Sequence, residues 1–233
     1  MIGFYNYTMF LTYLSLISAG SGIVVSLNGG GHPYMGTFFL LFCGLCDAFD
    51  GRVARTKVDR SDMEKRFGIQ VDSLTDLVAF GVLPACIGAA MLRCSSVIAD
   101  LMASQGERWV GKLVTVALFG VLILYILAAM IRLAYFNVTE EERQRTEGGA
   151  RKYYTGLPVT SAALIFPAVQ LLQYLIPADI TLFYFGAIVL TGFAFLLKFR
   201  VGKPGMRGLL ILVGIGALEF LAMLIFKHGP RIH

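Results

Sequence analysis

The stretch Cys46–Gly81 reads CDAFDGRVARTKVDRSDMEKRFGIQVDSLTDLVAFG. It joins two strongly apolar runs and sets four aspartates, Asp47, Asp50, Asp72 and Asp76, at their ends. An ionised carboxylate at the edge of a hydrocarbon layer is costly unless its charge is compensated. Four together call for a cation, with a phosphate-bearing ligand beside it.

The rest of the chain supports a membrane setting. Of 233 residues, 57% are hydrophobic and 15% charged, and the mean hydropathy is +0.72. That is too apolar for an ordinary soluble domain. The expected fold is an all-α, polytopic transmembrane helical bundle forming one domain over 1–233. About 20 apolar residues suffice to span the hydrocarbon core. Seven runs qualify, with six to eight spans as the range: Thr8–Leu27, Tyr34–Ala54, Ile69–Leu92, Lys112–Phe136, Leu157–Ile176, Ile180–Phe199 and Gly208–Phe226. Gly214 and Gly216 are possible breaks in the last run. The first run has no basic residue before it, so it reads as a retained span and not a signal peptide. Cys43 and Cys46 form a CxxC inside an apolar run, without a matching His/Cys pair elsewhere. They read as small helix residues, not redox or zinc ligands.

Basic residues orient the bundle. The loop Arg52–Arg66 holds six Lys/Arg, Asn137–Thr155 holds four and Lys198–Arg207 another four. The segments Asn28–Pro33 and Pro177–Asp179 hold none. Positive charge stays inside, which predicts that the three rich loops, the aspartates and the N-terminus face the cytoplasm. The net charge of +5 suits anionic lipid headgroups. Nucleic acid is not an expected partner, because basic and aromatic residues are not interleaved on a polar surface.

Asp47, Asp50, Gly51 and Ala54 fall at offsets 0, 3, 4 and 7, one face of a helix. Gly68, Asp72 and Asp76 recur every four residues, again on one face. The intervening loop returns the chain, so both faces can meet at one membrane boundary. Converging carboxylates suit hard divalent cations, Mg or Mn. Gly51, Ala54 and Gly68 let a flat or phosphorylated ligand approach the backbone, and Arg55 can pair with phosphate. The bland alternative makes the aspartates caps and ion-pair partners of Arg52, Arg55, Lys65 and Arg66. Four acids at helical spacing inside apolar runs disfavour it.

These residues, in the order D-x2-D-G-x2-A-R … G-x3-D-x3-D, resemble the signature of the CDP-alcohol phosphotransferases. The spacer differs: twelve residues separate Arg55 from Gly68, more than is usual there. The resemblance implies that a hydroxyl attacks the lipid-bearing phosphorus of a CDP-linked lipid, releasing CMP. It implies two divalent cations held by Asp47, Asp50, Asp72 and Asp76, with Asp76 also the general base. Gly51, Ala54, Arg55 and Gly68 would bind the CDP-lipid. It implies a homodimer as well.

Three segments bear on the alcohol. RLAYFN (Arg132–Asn137), YYTGLP (Tyr153–Pro158) and DSLTDLVAFGVLPA (Asp72–Ala85) are similar to segments of the CDP-diacylglycerol–serine phosphatidyltransferases. That resemblance implies CDP-diacylglycerol and L-serine as substrates. Serine needs a cation for its carboxylate, and Arg132, Asn137, Arg151 and Lys152 are the candidates. Arg132 could instead snorkel to the interface or bind lipid phosphate, and Asn137 could cap its helix. Alternatives are a phosphorylated acceptor, glycerol 3-phosphate or inositol phosphate, or an aspartate-rich prenyltransferase. A cation-coupled transporter fits less well, since such sites lie near the midplane of internal repeats. Glu219, Gln170 and Gln173 read as packing or interhelical hydrogen-bonding groups.

Overall fold

The computed structural model describes residues 3–28, 33–57, 59–103, 108–146, 153–176, 178–202 and 206–227. Each of the seven apolar runs carries a helix. The helices are α1 (Phe10–Leu27), α2 (Pro33–Thr56), α3 (Asp62–Asp76), α4 (Leu83–Cys94), α5 (Ser96–Ala103), α6 (Arg108–Thr146), α7 (Ala162–Leu175), α8 (Thr181–Leu196) and α9 (Met206–Lys227). Among the described residues, three continuous helical stretches can cross a membrane by length and composition: Tyr7–Leu27, Asp62–Cys94 and Trp109–Arg143. Shorter apolar helices cover Val159–Tyr174, Thr181–Leu196 and Leu210–Ile225. Gly214 and Gly216 do not interrupt α9.

Three features depart from the expectation. α3 begins at Asp62, well before the apolar run. Ser61 caps it, its Oγ accepting from the Glu64 N–H at 3.1 Å, which satisfies a donor that the first turn cannot. α6 has 39 residues, about 58 Å at 1.5 Å per residue, so it outruns a hydrocarbon core of about 30 Å. Its polar end is laced by Glu140–Arg143 at 2.7 Å and Glu141–Arg145 at 2.6 Å. The bundle is also not purely helical. Strands β1 (Tyr153–Thr155) and β2 (Arg200–Gly202) form an antiparallel ladder. Gly156 follows β1 at φ +77°, and a Cβ there would sit 2.7 Å from the Leu197 carbonyl. Only glycine takes this turn without strain. Its N–H donates to the Phe199 carbonyl at 2.6 Å.

α1 packs along α2, and both pack on α4; α6 packs on α8, while α7 and α9 close on α2. The core runs through Leu40, Phe80, Leu83, Ile87, Phe166, Tyr184 and Ile188. Gln170 is fully buried; it accepts from Thr37 Oγ1 and approaches Met91 Sδ, an interhelical partner as read. Cys43 and Cys46 are buried free thiols, and Cys43 donates to the Ser15 carbonyl at 3.3 Å.

Between α3 and α4 the chain widens into a π-helical turn, Leu77–Val82. Pro84 has no N–H to give the Phe80 carbonyl four residues earlier. The buried Tyr125 hydroxyl of α6 donates to that carbonyl at 2.7 Å. Tyr184 of α8 donates to the Pro84 carbonyl at 2.9 Å. The wide turn thus follows Asp76 directly and is held by Tyr125, while Tyr184 ties the start of α4 just beyond it.

The opposite end of the bundle has its own tie. Asp179 accepts from the Thr181 N–H at 2.8 Å, the Ser95 hydroxyl at 2.5 Å and the Val97 N–H at 3.4 Å. Burial opposes its charge, but the hydrogen bonds from Ser95, Thr181 and Val97 win and hold the carboxyl below its ordinary value. A depressed folded-state value adds stability that is complete above the ordinary aspartate value of 3.8 and drains as pH falls below it. Asp179→Asn places an amide against the Val97 N–H. It is expected to cost about 1.5–3 kcal/mol at neutral pH, typical of a hydrogen bond to a charged group. Thermal unfolding midpoints in detergent should separate the two proteins at neutral pH and converge in acid. Equal midpoints at neutral pH would show that the tie contributes nothing.

Candidate active site

α2 and α3 deliver the carboxylates to one place. One oxygen each from Asp47, Asp50 and Asp72 lie within 4.8 Å of one another. At an effective dielectric of about 20, two unit charges at that separation repel by about 3–4 kcal/mol. Three such charges in one place are stable only if a cation or protons intervene. The donor set consists of hard oxygens alone, the set that Mg and Mn prefer over soft metals. The residues present therefore fit a divalent-cation centre. Asp76 is not in this group; it shares a cavity with Asp47 and Asp72, one helical turn beyond Asp72.

Three cations of the preceding loop, Lys57, Arg60 and Lys65, pair with Glu64 or Asp62. Glu64 accepts from Lys57 at 2.9 Å and from Asn6, and lies 3.9 Å from Arg60. Lys65 pairs with Asp62 at 3.5 Å.

The cavity holds about 870 Å³ and is two-faced. Its polar end carries Asp47, Gly51, Arg52, Arg55, Asp72, Asp76 and Arg132. Its apolar arm runs between α2, α7 and α9, along Leu41, Phe42, Leu45, Leu164, Leu212, Val213 and Phe220. Phe42, Leu45, Phe220 and Leu221 are also substantially exposed on the outside of the bundle. The arm therefore reaches the lipid-facing surface. A ligand with a charged head and an apolar tail matches both ends.

Arg132 of α6 is 5% exposed. Its Nε donates to the Leu157 carbonyl at 3.1 Å, and its guanidinium carbon lies 5.6 Å from the Phe136 ring centre. Burial at the cavity wall corrects the snorkelling alternative, because a snorkelling side chain would reach out to water.

Other predicted residues sit elsewhere. Gly68 is packed under Arg60 and Met9, where a Cβ would lie 2.8 Å from each side chain, and it does not line the cavity. Ala54 likewise stands off the lining, its carbonyl accepting from Arg60 at 3.3 Å. Asn137 gives its amide to Ser73 Oγ at 2.7 Å and faces α3, not the cavity. Arg151 and Lys152 lie outside the described residues.

Sequence reasoning missed the α9 wall. Its small residues Gly216 and Ala217 line the cavity, but nothing in a uniformly apolar helix marks which face does so. Glu219 of the same helix is buried, off the lining, and its Oε2 has no hydrogen-bond partner among the described residues.

Comparison with known proteins adds one family and several relatives. Residues 5–197 match the CDP-alcohol phosphatidyltransferase family. The chain is 34% identical over 165 residues to a CDP-diacylglycerol–serine O-phosphatidyltransferase of Saccharomyces cerevisiae, covering 66% of this chain and 50% of that protein. It is 35% identical over 154 residues to an archaetidylserine synthase of Methanothermobacter thermautotrophicus, covering 65% and 53%. A CDP-diacylglycerol–serine O-phosphatidyltransferase of Mycobacterium tuberculosis is 27% identical over 155 residues, covering 66% and 45%. The chain spans about half the length of the curated relatives it matches.

Proposed function

The chain belongs to the CDP-alcohol phosphatidyltransferase family, and on that premise we propose that it transfers the phosphatidyl group of CDP-diacylglycerol to the hydroxyl of L-serine, releasing CMP. The observation that carries this reading is the two-faced cavity. It sets the acidic cluster and a buried arginine at one end of an apolar arm that reaches the lipid-facing surface.

In this reading Asp47, Asp50 and Asp72 hold two divalent cations, Mg or Mn, with Asp76 at the edge of the set. When bound, the cations neutralise the diphosphate and the charge that develops on departing CMP. Asp76 accepts the proton of the serine hydroxyl as its oxygen bonds to the lipid-bearing phosphorus. The bond from that phosphorus to the CMP phosphate oxygen breaks, and CMP carries the electron pair away. Arg132 receives the serine carboxylate. Arg55 and Arg52 face the diphosphate, beside Gly51. The apolar arm takes the lipid part, so the head reacts at the cytoplasmic boundary while the tails stay in hydrocarbon. The enzyme acts as a homodimer, which its size in detergent tests.

The deciding experiment is CMP release by the purified protein with CDP-diacylglycerol and a divalent cation. Serine, glycerol 3-phosphate and inositol phosphate are compared as acceptors, and an ether-lipid donor is run in parallel. Release with serine alone supports the reading. Release with a phosphorylated alcohol keeps the metal site and discards the serine pocket. No release from any donor with any acceptor overturns the reading.

A further inference from the structure

Three carboxylates from two helices must agree in position to within a few tenths of an ångström to hold the cations. α2 supplies Asp47 and Asp50, and α3 supplies Asp72. Yet α3 packs on α1 and runs into the π turn, with only sparse contact to α2 or α6. α6 packs on the π turn and on α4, beyond Asp76. At the level of Asp72, apolar packing therefore does little to hold α3 in place.

On the α6 side, a hydrogen bond bridges that gap. Asn137 Nδ2 donates to Ser73 Oγ at 2.7 Å, joining residues 64 apart in sequence. Ser73 immediately follows Asp72. Asn137 immediately follows Phe136, which lines the cavity with Arg132. Both partners are half-buried, so water competes weakly for the bond. It ties the cluster-bearing helix to the helix that carries Arg132.

We propose that Asn137 and Ser73 are a positioning pair that sets Asp72 in the divalent-cation site. This assigns Asn137 to the metal side of the cavity and not to the alcohol. The inference rests on the reading of Asp47, Asp50 and Asp72 as metal ligands. Groups behind a ligand set typically cost 10–100-fold in affinity when removed.

The test measures Mn2+ binding to the full chain in detergent, by the electron paramagnetic resonance of free Mn2+. Asn137→Ala and Ser73→Ala are each expected to weaken binding by about 10-fold. The double variant should bind within about twofold of either single one, because one bond is lost once. Ser73→Thr keeps the hydroxyl and should bind within about twofold of the unsubstituted protein. Unchanged affinity in both alanine variants overturns the proposal, as do losses that multiply in the double variant. If Asn137→Ala yields no folded protein, Ser73→Ala against Ser73→Thr decides alone. Binding abolished by Asp72→Ala but untouched by the pair overturns the proposal and leaves the metal site standing. No Mn2+ binding by the unsubstituted protein overturns both.

Discussion

Asparagine in place of Asp76 is expected to cut CMP release by about 10³-fold or more, within the range a positioned general base supplies. The substitution keeps the shape of the side chain and removes only its charge. Asp76 lies beside Asp47 and Asp72 in the cavity and outside the close group of three. Its loss should therefore leave cation binding largely intact while stopping proton transfer. Removing one carboxylate from a crowded acidic site also relieves repulsion, so the cation-free variant should unfold at the same temperature as the parent or higher. Lost activity with kept or raised stability is the pattern of a functional group set against packing. Single-turnover CMP release and thermal unfolding on the same preparation check both halves. Near-normal turnover would remove Asp76 as the base; lost turnover with a collapsed unfolding temperature would make it structural.

Arg132→Ala is expected to lower kcat/KM for serine by about 100-fold, or about 2.7 kcal/mol. The figure matches removal of a buried charged partner from a carboxylate. Its KM for CDP-diacylglycerol should change little if, as proposed, the diphosphate faces Arg52 and Arg55, which line the same cavity. Arg132 is anchored by its Nε to the Leu157 carbonyl and stacked near Phe136. That anchoring orients the guanidinium before the alcohol arrives. Lysine keeps the charge but cannot both hold the Leu157 carbonyl and present a planar fork. Arg132→Lys should therefore recover only part of the loss. Kinetics with serine and donor varied separately distinguish the outcomes. A rise in donor KM with serine KM unchanged would move Arg132 to the lipid phosphate and retire the serine pocket.

Much of this was legible before the fold. The seven apolar runs each became helical because a long apolar run placed in hydrocarbon satisfies its backbone hydrogen bonds only as a helix. The offsets of Asp47, Asp50, Asp72 and Asp76 placed each pair on one helix face, since 3.6 residues per turn leaves no other reading. The early start of α3 went unread: Ser61 and Glu64 form an S-x-x-E capping pattern, but it lies in a charged stretch outside the apolar run. Other features had no local signal. Asn137 looked like an alcohol-binding residue because it ends the segment that begins at Arg132. Its rotation about α6 carries it to Ser73 instead. Gly68 looked like a ligand notch, but the chain turn before α3 sets Arg60 against that glycine, beside Met9.

The sequence by itself determined the helical membrane bundle, the acidic faces at one boundary and the cation chemistry they imply. These follow from short-range rules, the helical period and the cost of charge in hydrocarbon, which act on neighbours in the chain. Only the tertiary structure decided which carboxylates converge, that α9 walls the apolar arm, and that a strand ladder with Gly156 holds the Leu157 carbonyl against Arg132. Those outcomes depend on how helices distant in sequence rotate and pack against one another. A uniformly apolar helix such as α9 has no preferred face until its neighbours create one.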